Sequence, residues 1–253
     1  MDLYGEDPGL LLEEGHFLVG PTLYSTPAFV RAGGRIGVRP LAILYLEGRM
    51  DWMGSFGTFN HVLGFPDLNG DGSDAGLKDR QDAGDSIQTT GRITTLTGEV
   101  RGKVGPVVAR SKAAWIHTSM DLLEGDRFWY EGINDVFMPE NGWGLHVDTH
   151  LLWMDGSPWV AGVRHTVDRV FVDEATREAT DNPERLEANH RIGPFFAYTW
   201  FDRPGEGFNK PTVAVIVNWH LTHPYRAGQH SAQGLPYALI AFAFQGDLLS
   251  DTP

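Results

Sequence analysis

The chain has 253 residues, 42% of them hydrophobic, and no cysteine, so it can bury a core but cannot build a disulfide scaffold, a zinc knuckle or a thiol nucleophile. Its 33 acidic against 20 basic residues give a net charge of −13, which argues against a nucleic-acid partner, whose phosphates demand clustered Lys and Arg. With 31 Gly and 15 Pro against long helices, and 8 Trp, 7 Tyr and 14 Phe in favour of pleated structure, an all-β fold is expected.

Period-two patterning recurs along the chain. Val30, Ala32, Ile36 and Val38 alternate with Arg31, Arg35 and Arg39, and Leu44, Leu46, Met50 and Trp52 alternate with Glu47, Arg49 and Asp51. Further on, Val100 and Val104 oppose Glu99, Arg101 and Lys103, while Leu145, Val147, Leu151 and Trp153 oppose His146, Asp148 and His150. Strands are expected over 17–26, 29–40, 42–54, 88–104, 107–120, 143–154, 159–172, 190–201, 211–223 and 236–246. The long connections are 55–87, 121–142, 173–189 and 224–235; the short ones are 40–41, 105–106, 155–158 and 202–210. After the first hairpin, short and long alternate, and ten strands return both ends to one side. A twelve-strand version results if 126–137 form another hairpin arm and the first segment splits.

Segment length separates the architectures. Strands of soluble domains run about 5–6 residues, whereas about 9–11 tilted residues cross a hydrocarbon core, and the segments here run about 10–13. Trp52, Trp115, Trp153, Trp200, Trp219 and Tyr225 near segment ends fit aromatic girdles. The longest apolar run, Tyr237 to Phe244, is far short of the ~20 residues of a membrane helix. We therefore expect a single domain over 1–253, an antiparallel transmembrane up-and-down β-barrel of about ten strands, with 1–16 as an N-terminal periplasmic segment and the four long connections as extracellular loops. The start, MDLYGEDPG, lacks the basic and apolar regions of a signal peptide, so removal of a signal before this point is expected. The competing architecture is a soluble β-sandwich, such as a carbohydrate-binding module with surface Trp, which would bury the apolar face in a dry core.

Alternation assigns Arg31, Arg35, Arg39, Arg49, Arg101, Lys103, Arg110, Lys112 and Arg164 to the inward face, against Glu47, Asp51, Glu99, Asp148 and Asp168. A barrel of this size lies just above the eight-stranded one whose interior fills with side chains, so most of these charges should pair across strands. The expectation is a plugged lumen or a narrow, anion-preferring, porin-like path.

The segment Leu235-Pro-Tyr-Ala-Leu-Ile-Ala-Phe-Ala-Phe244 resembles the terminal strand signal of bacterial outer-membrane β-barrel proteins, although nine residues follow Phe244 where that family stops at the aromatic. GGRIGVRPLAILYLEGRMDW and NHRIGPFFAYTWFDRP are similar to small uncharacterised barrels of Gram-negative bacteria. The resemblance implies the bacterial outer membrane, with its lipid and lipopolysaccharide as surroundings, and a structural, surface-binding or pore role without an activity.

Two patterns carry candidate chemistry. His117 and Ser119 share the face of Trp115, and Asn141 on the next strand would face outward near the same rim. The arrangement resembles the His-x-Ser pair of outer-membrane phospholipases and lipid A deacylases, which implies, as an alternative, a lipid esterase with His117 as base, Ser119 as nucleophile and Asn141 orienting the imidazole. With ten His in the chain, such a pair also arises by chance. The second pattern is Asp67, Asn69, Asp71 and Gly72, at positions 1, 3, 5 and 6 of a calcium loop, where alternate oxygens wrap a hard cation. Lys78 stands in place of the position-12 Glu, so Asp74 or Asp79 would complete the Ca²⁺ shell; an Asp/Asn/Gly turn that is merely solvated has the same composition. His146 and His150, four apart on a strand, lie about 13 Å apart and cannot share a metal. His220 and Asn218 share the polar face and are expected to serve polar packing.

Overall fold

A computed structural model describes residues 15–58, 62–132, 134–203, 207–224 and 236–245. The expected periplasmic segment up to residue 14, and 225–235 of the last long loop with Tyr225, lie outside the described residues. In chain order the elements are β1 (His16–Ser25), β2 (Phe29–Leu41), β3 (Leu44–Phe56), β4 (Gly64–Phe65), α1 (Asp74–Asp82), β5 (Gln88–Val104), β6 (Val107–Met120), β7 (Phe128–Glu131), β8 (Val136–Pro139), β9 (Asn141–Trp153), β10 (Trp159–Val170), α2 (Glu174–Glu178), β11 (Asn189–Thr199), β12 (Asn209–Thr222) and β13 (Tyr237–Gln245).

Ten of the strands form one antiparallel sheet in the order β1-β2-β3-β5-β6-β9-β10-β11-β12-β13, and each expected strand corresponds to one of them within a few residues. Side-chain parity is carried across by the register: Ala32, Trp52, Arg92, Ser119 and Asn141 make one cross-strand row on one face, and Asp51 and Ile93 lie in the next row on the other. The polarity of this sheet is inverted relative to a soluble one. Trp52 is 60% exposed and Val104 84%, whereas Asp51 and Asp168, on the opposite face, are each 2% exposed. A two-sheet sandwich buries its apolar face; this sheet turns that face outward and shelters the charged one.

The sheet is curled. Glu131 on β7 meets Arg31 of β2 at 3.9 Å, and Asp135, bonded back to Glu131 through a 2.8 Å N–H to carbonyl contact, meets His223 just after β12 at 2.7 Å. In a flat sheet β2 and β12 would be about 34 Å apart at about 4.8 Å per strand, beyond the reach of one tight turn. Glycine permits this curvature where strands approach most closely. A Cβ on Gly33 would fall 1.9 Å from the Met50 carbonyl oxygen, and one on Gly193 would fall 1.7 Å from that of Val217.

Three of the four long connections, 55–87, 121–142 and 173–189, are folded. β4, β7 and β8 form a separate three-stranded sheet, and α1 follows a Ser73 N-cap that accepts from the Gly76 N–H. Phe65, Trp129 and Phe137 are fully buried between these pieces, and the Phe65 and Phe137 rings stack at 4.3 Å. Burial of each such ring contributes about 1.5–3 kcal/mol, enough for 55–87 and 121–142 to hold one another as a cap, on which Leu186 of the third folded connection also packs. The cap packs on Met53, Ile93 and Met120, side chains of the sheltered face near the long-loop end of the sheet.

In four further respects the structure decides between alternatives, differs from the expectation or does not extend to it. The arm at 126–137 does form a hairpin, β7–β8, but it stays out of the large sheet, because Val136-Phe137-Met138 is buried without alternation and has no polar side to turn inward. β1 is continuous, so the count is ten rather than twelve. Barrel closure is not seen: among the described residues β1 and β13 each keep one unpaired edge, and β13 is exposed along its whole length. Trp115 lies inside β6, in register with Leu96 and Leu145, rather than at a strand end.

Candidate functional site

All fourteen charged residues expected to share a face do share it, as the pairing register shows. Most of them are neutralised in place. Arg49 pairs with Asp51, which also accepts from Thr22; Arg35 lies 3.8 Å from Glu47, which accepts from the Tyr45 hydroxyl at 2.7 Å. Arg110 meets Glu99 at 2.7 Å, and Arg164 forks onto both oxygens of Asp148 at 2.8 and 3.2 Å. Three partners were missed by sequence reasoning: Arg191 and His146 grip the two oxygens of buried Asp168 at 2.7 and 2.6 Å, and Glu131 of the cap reaches Arg31. Towards the short-turn end the balance changes. Arg101 donates to the Ala42 carbonyl, and among the described residues Lys103 and Lys112 make no ion pair, so that mouth of the curled sheet is basic.

His117, Ser119 and Asn141 lie on the outward face as expected, with Ser119 directly opposite Asn141. Their chemistry is not assembled: the His117 ring packs edge-on against Trp143 at 4.8 Å, and among the described residues no hydrogen bond joins the three.

In the aspartate-rich loop, Asp67 and Asp71 each accept from the backbone N–H two residues on, at 2.8 and 2.9 Å. Asn69 is held at both ends of its amide, by the Ala179 carbonyl and the Asp181 N–H, and Arg185 donates to the carbonyls of Leu68 and Gly70. The side chain of Asp74 lies outside the described residues; Asp79 lies on α1. The loop's observed work is thus to tie 67–71 to 179–185 within the cap. Nearby, burial pushes the carboxyl of Asp126 above the ordinary range; Asp85 reinforces that shift, and Arg80 opposes it.

The densest polar cluster joins the cap to the sheet. Asp135, in the turn between β7 and β8, has φ +60°, a left-handed conformation costly for a residue with a Cβ. Its Oδ1 accepts from the Tyr130 hydroxyl at 2.6 Å, and its Oδ2 lies 2.7 Å from His223 Nε2 and 4.0 Å from His220 Nε2. Buried Asn189 bonds through Oδ1 to His220 Nδ1 at 3.1 Å, and its amide nitrogen faces the Asn134 and Asp135 carbonyls at 3.4 and 3.5 Å. A bulge between His190 and Arg191 shifts the β11–β12 register at this point. Sequence reasoning placed His220 on the polar face but missed its partners. The visible signal was His220-x-x-His223 at a strand end; Asp135 is 88 residues from His223 in sequence. No family model, curated protein or solved structure matches the chain.

Proposed function

We propose that the chain is a bacterial outer-membrane β-barrel whose interior is occluded by its own loop cap, acting as a structural or surface-binding barrel rather than an open pore. The observation that carries this reading is the inverted polarity of the ten-stranded sheet. A continuous outward face bearing Trp52, Leu96, Leu151 and Phe196 suits hydrocarbon, and the ion pairs sheltered on the other face suit a lumen without bulk water. The curl of the sheet and the short-turn, long-loop asymmetry fit the same picture. Paired charges and the apolar cap oppose conduction, and the basic short-turn mouth gives any residual path a preference for anions.

Reconstitution tests the reading. The purified chain is expected to require detergent or lipid, to run as a heat-modifiable band on a denaturing gel, and to give no steady conductance in planar bilayers. Deleting 126–139, the β7–β8 hairpin, is expected to open an anion-selective conductance. A monodisperse monomer in detergent-free buffer would falsify the membrane assignment, and steady cation-selective current would contradict the basic interior.

A further inference from the structure

We propose that Asp135, His220 and His223 form a binding site for one divalent transition-metal ion of the zinc type, which pins the β7–β8 turn of the cap to the end of β12. Their candidate ligand atoms lie within 4.8 Å of one another, and they come from two elements far apart in sequence. Two imidazoles with one carboxylate suit zinc or its neighbours and not calcium or magnesium, which take oxygen ligands.

The surroundings prepare the ligand atoms of His220 and Asp135. The Asn134 and Asp135 carbonyls hold the amide nitrogen of Asn189, so its oxygen faces His220 Nδ1. That nitrogen must therefore carry the proton, which leaves a lone pair on His220 Nε2, the atom that faces Asp135. The Tyr130 hydroxyl occupies Asp135 Oδ1, which leaves Oδ2 for the centre. Such hydrogen bonds behind metal ligands fix tautomer and orientation. Both Asp135 and His223 are buried, so a single ion would find its ligands already gathered.

Geometry sets what binding must change. Ligand atoms around a tetrahedral zinc lie about 3.3 Å apart, from bond lengths of about 2.0–2.1 Å. An ion must therefore replace the 2.7 Å hydrogen bond between His223 and Asp135, and draw in His220 Nε2 from 4.0 Å. As the metal–nitrogen bond forms, the proton on His223 Nε2 moves to Nδ1 of the same ring, which stays neutral, and water completes the fourth position. The inference stands on the cap and the β11–β12 strands, and does not depend on membrane insertion.

The test uses the full chain, stripped with a chelator and titrated with Zn²⁺ by calorimetry, with metal content measured after gel filtration. One tightly held zinc per chain is expected, and Co²⁺ in its place should give the visible absorption of a tetrahedral site. Asp135→Asn and His223→Ala should each lower affinity at least a hundredfold, and Asn189→Leu about ten- to a hundredfold. His190→Ala, which removes the outward His165–His190 pair, should change nothing. Zinc should also slow proteolysis within 121–142. The proposal is overturned by no binding at micromolar zinc, by an octahedral cobalt spectrum, or by an affinity that survives Asp135→Asn and His223→Ala. The cobalt spectrum of the unsubstituted chain keeps the test decisive if a variant fails to fold.

Discussion

Asp126 shows how a single residue couples the cap to pH. Its carboxyl lies over Gly64, close enough that a Cβ there would overlap it, and burial raises its pKa above the usual ~3.9 of an aspartate. A raised folded value means that the native state holds the proton more firmly than the unfolded one. The cap is therefore most stable below the unfolded pKa and loses that contribution as pH rises through the folded value. Asp126→Asn is expected to remove this slope and to slow amide exchange in 62–87 and 126–139 at pH 7. An unchanged difference between pH 4 and pH 7 would remove Asp126 as its source. At this scale the sequence was partly legible: the Asp67-Asn69-Asp71 spacing marked a turn, but Arg185, the cation that bonds its carbonyls, is more than a hundred residues away and left no local sign.

Strand elements were read well because long strands with one charged face carry a strong period-two signal. Their curvature was not legible, since a glycine in a strand looks the same whether its neighbour is close or distant. Gly193 and Gly102 illustrate the contrast. A Cβ on Gly193 meets the Val217 carbonyl oxygen at 1.7 Å, whereas one on Gly102 meets nothing within 4 Å. Gly193→Ala is expected to cost about 1–3 kcal/mol or more in unfolding from micelles, as overpacking does, and Gly102→Ala close to nothing. Equal stability of the two variants would show that the strands do not approach as closely as described. The β7–β8 hairpin escaped the period-two reading for the opposite reason: its residues are buried all round, so no alternation announces which sheet they join.

For the whole molecule, the open question is closure. β1 and β13 each present an unpaired edge of nine or ten residues, and long apolar edges of this kind invite pairing. β1 runs towards the long-loop end and β13 away from it, so the two can pair antiparallel as the rest of the sheet does. The absence of natural cysteine gives a clean background for a test. Val19→Cys or Leu23→Cys, combined in turn with Ala238→Cys, Ile240→Cys or Phe242→Cys, is expected to yield a disulfide in the folded chain for the pair whose Cα atoms come within about 7 Å. No cross-link from any of the six combinations, with normal folding of each, would leave the sheet open.

The number and length of the strands in the ten-stranded sheet, and the face to which each of their charged side chains belongs, followed from the order of residues alone, because alternation is local and each such strand reports its own parity. So did the alternation of short turns with long connections. The ion-pair partners, the folded cap and the meeting of Asp135 with His220 and His223 did not. Each joins residues tens of positions apart or more, and their approach is set by how the sheet curls and how the cap's loops bury Phe65, Trp129 and Phe137 together. Such contacts depend on the global path of the chain, and no periodicity within a segment encodes that path.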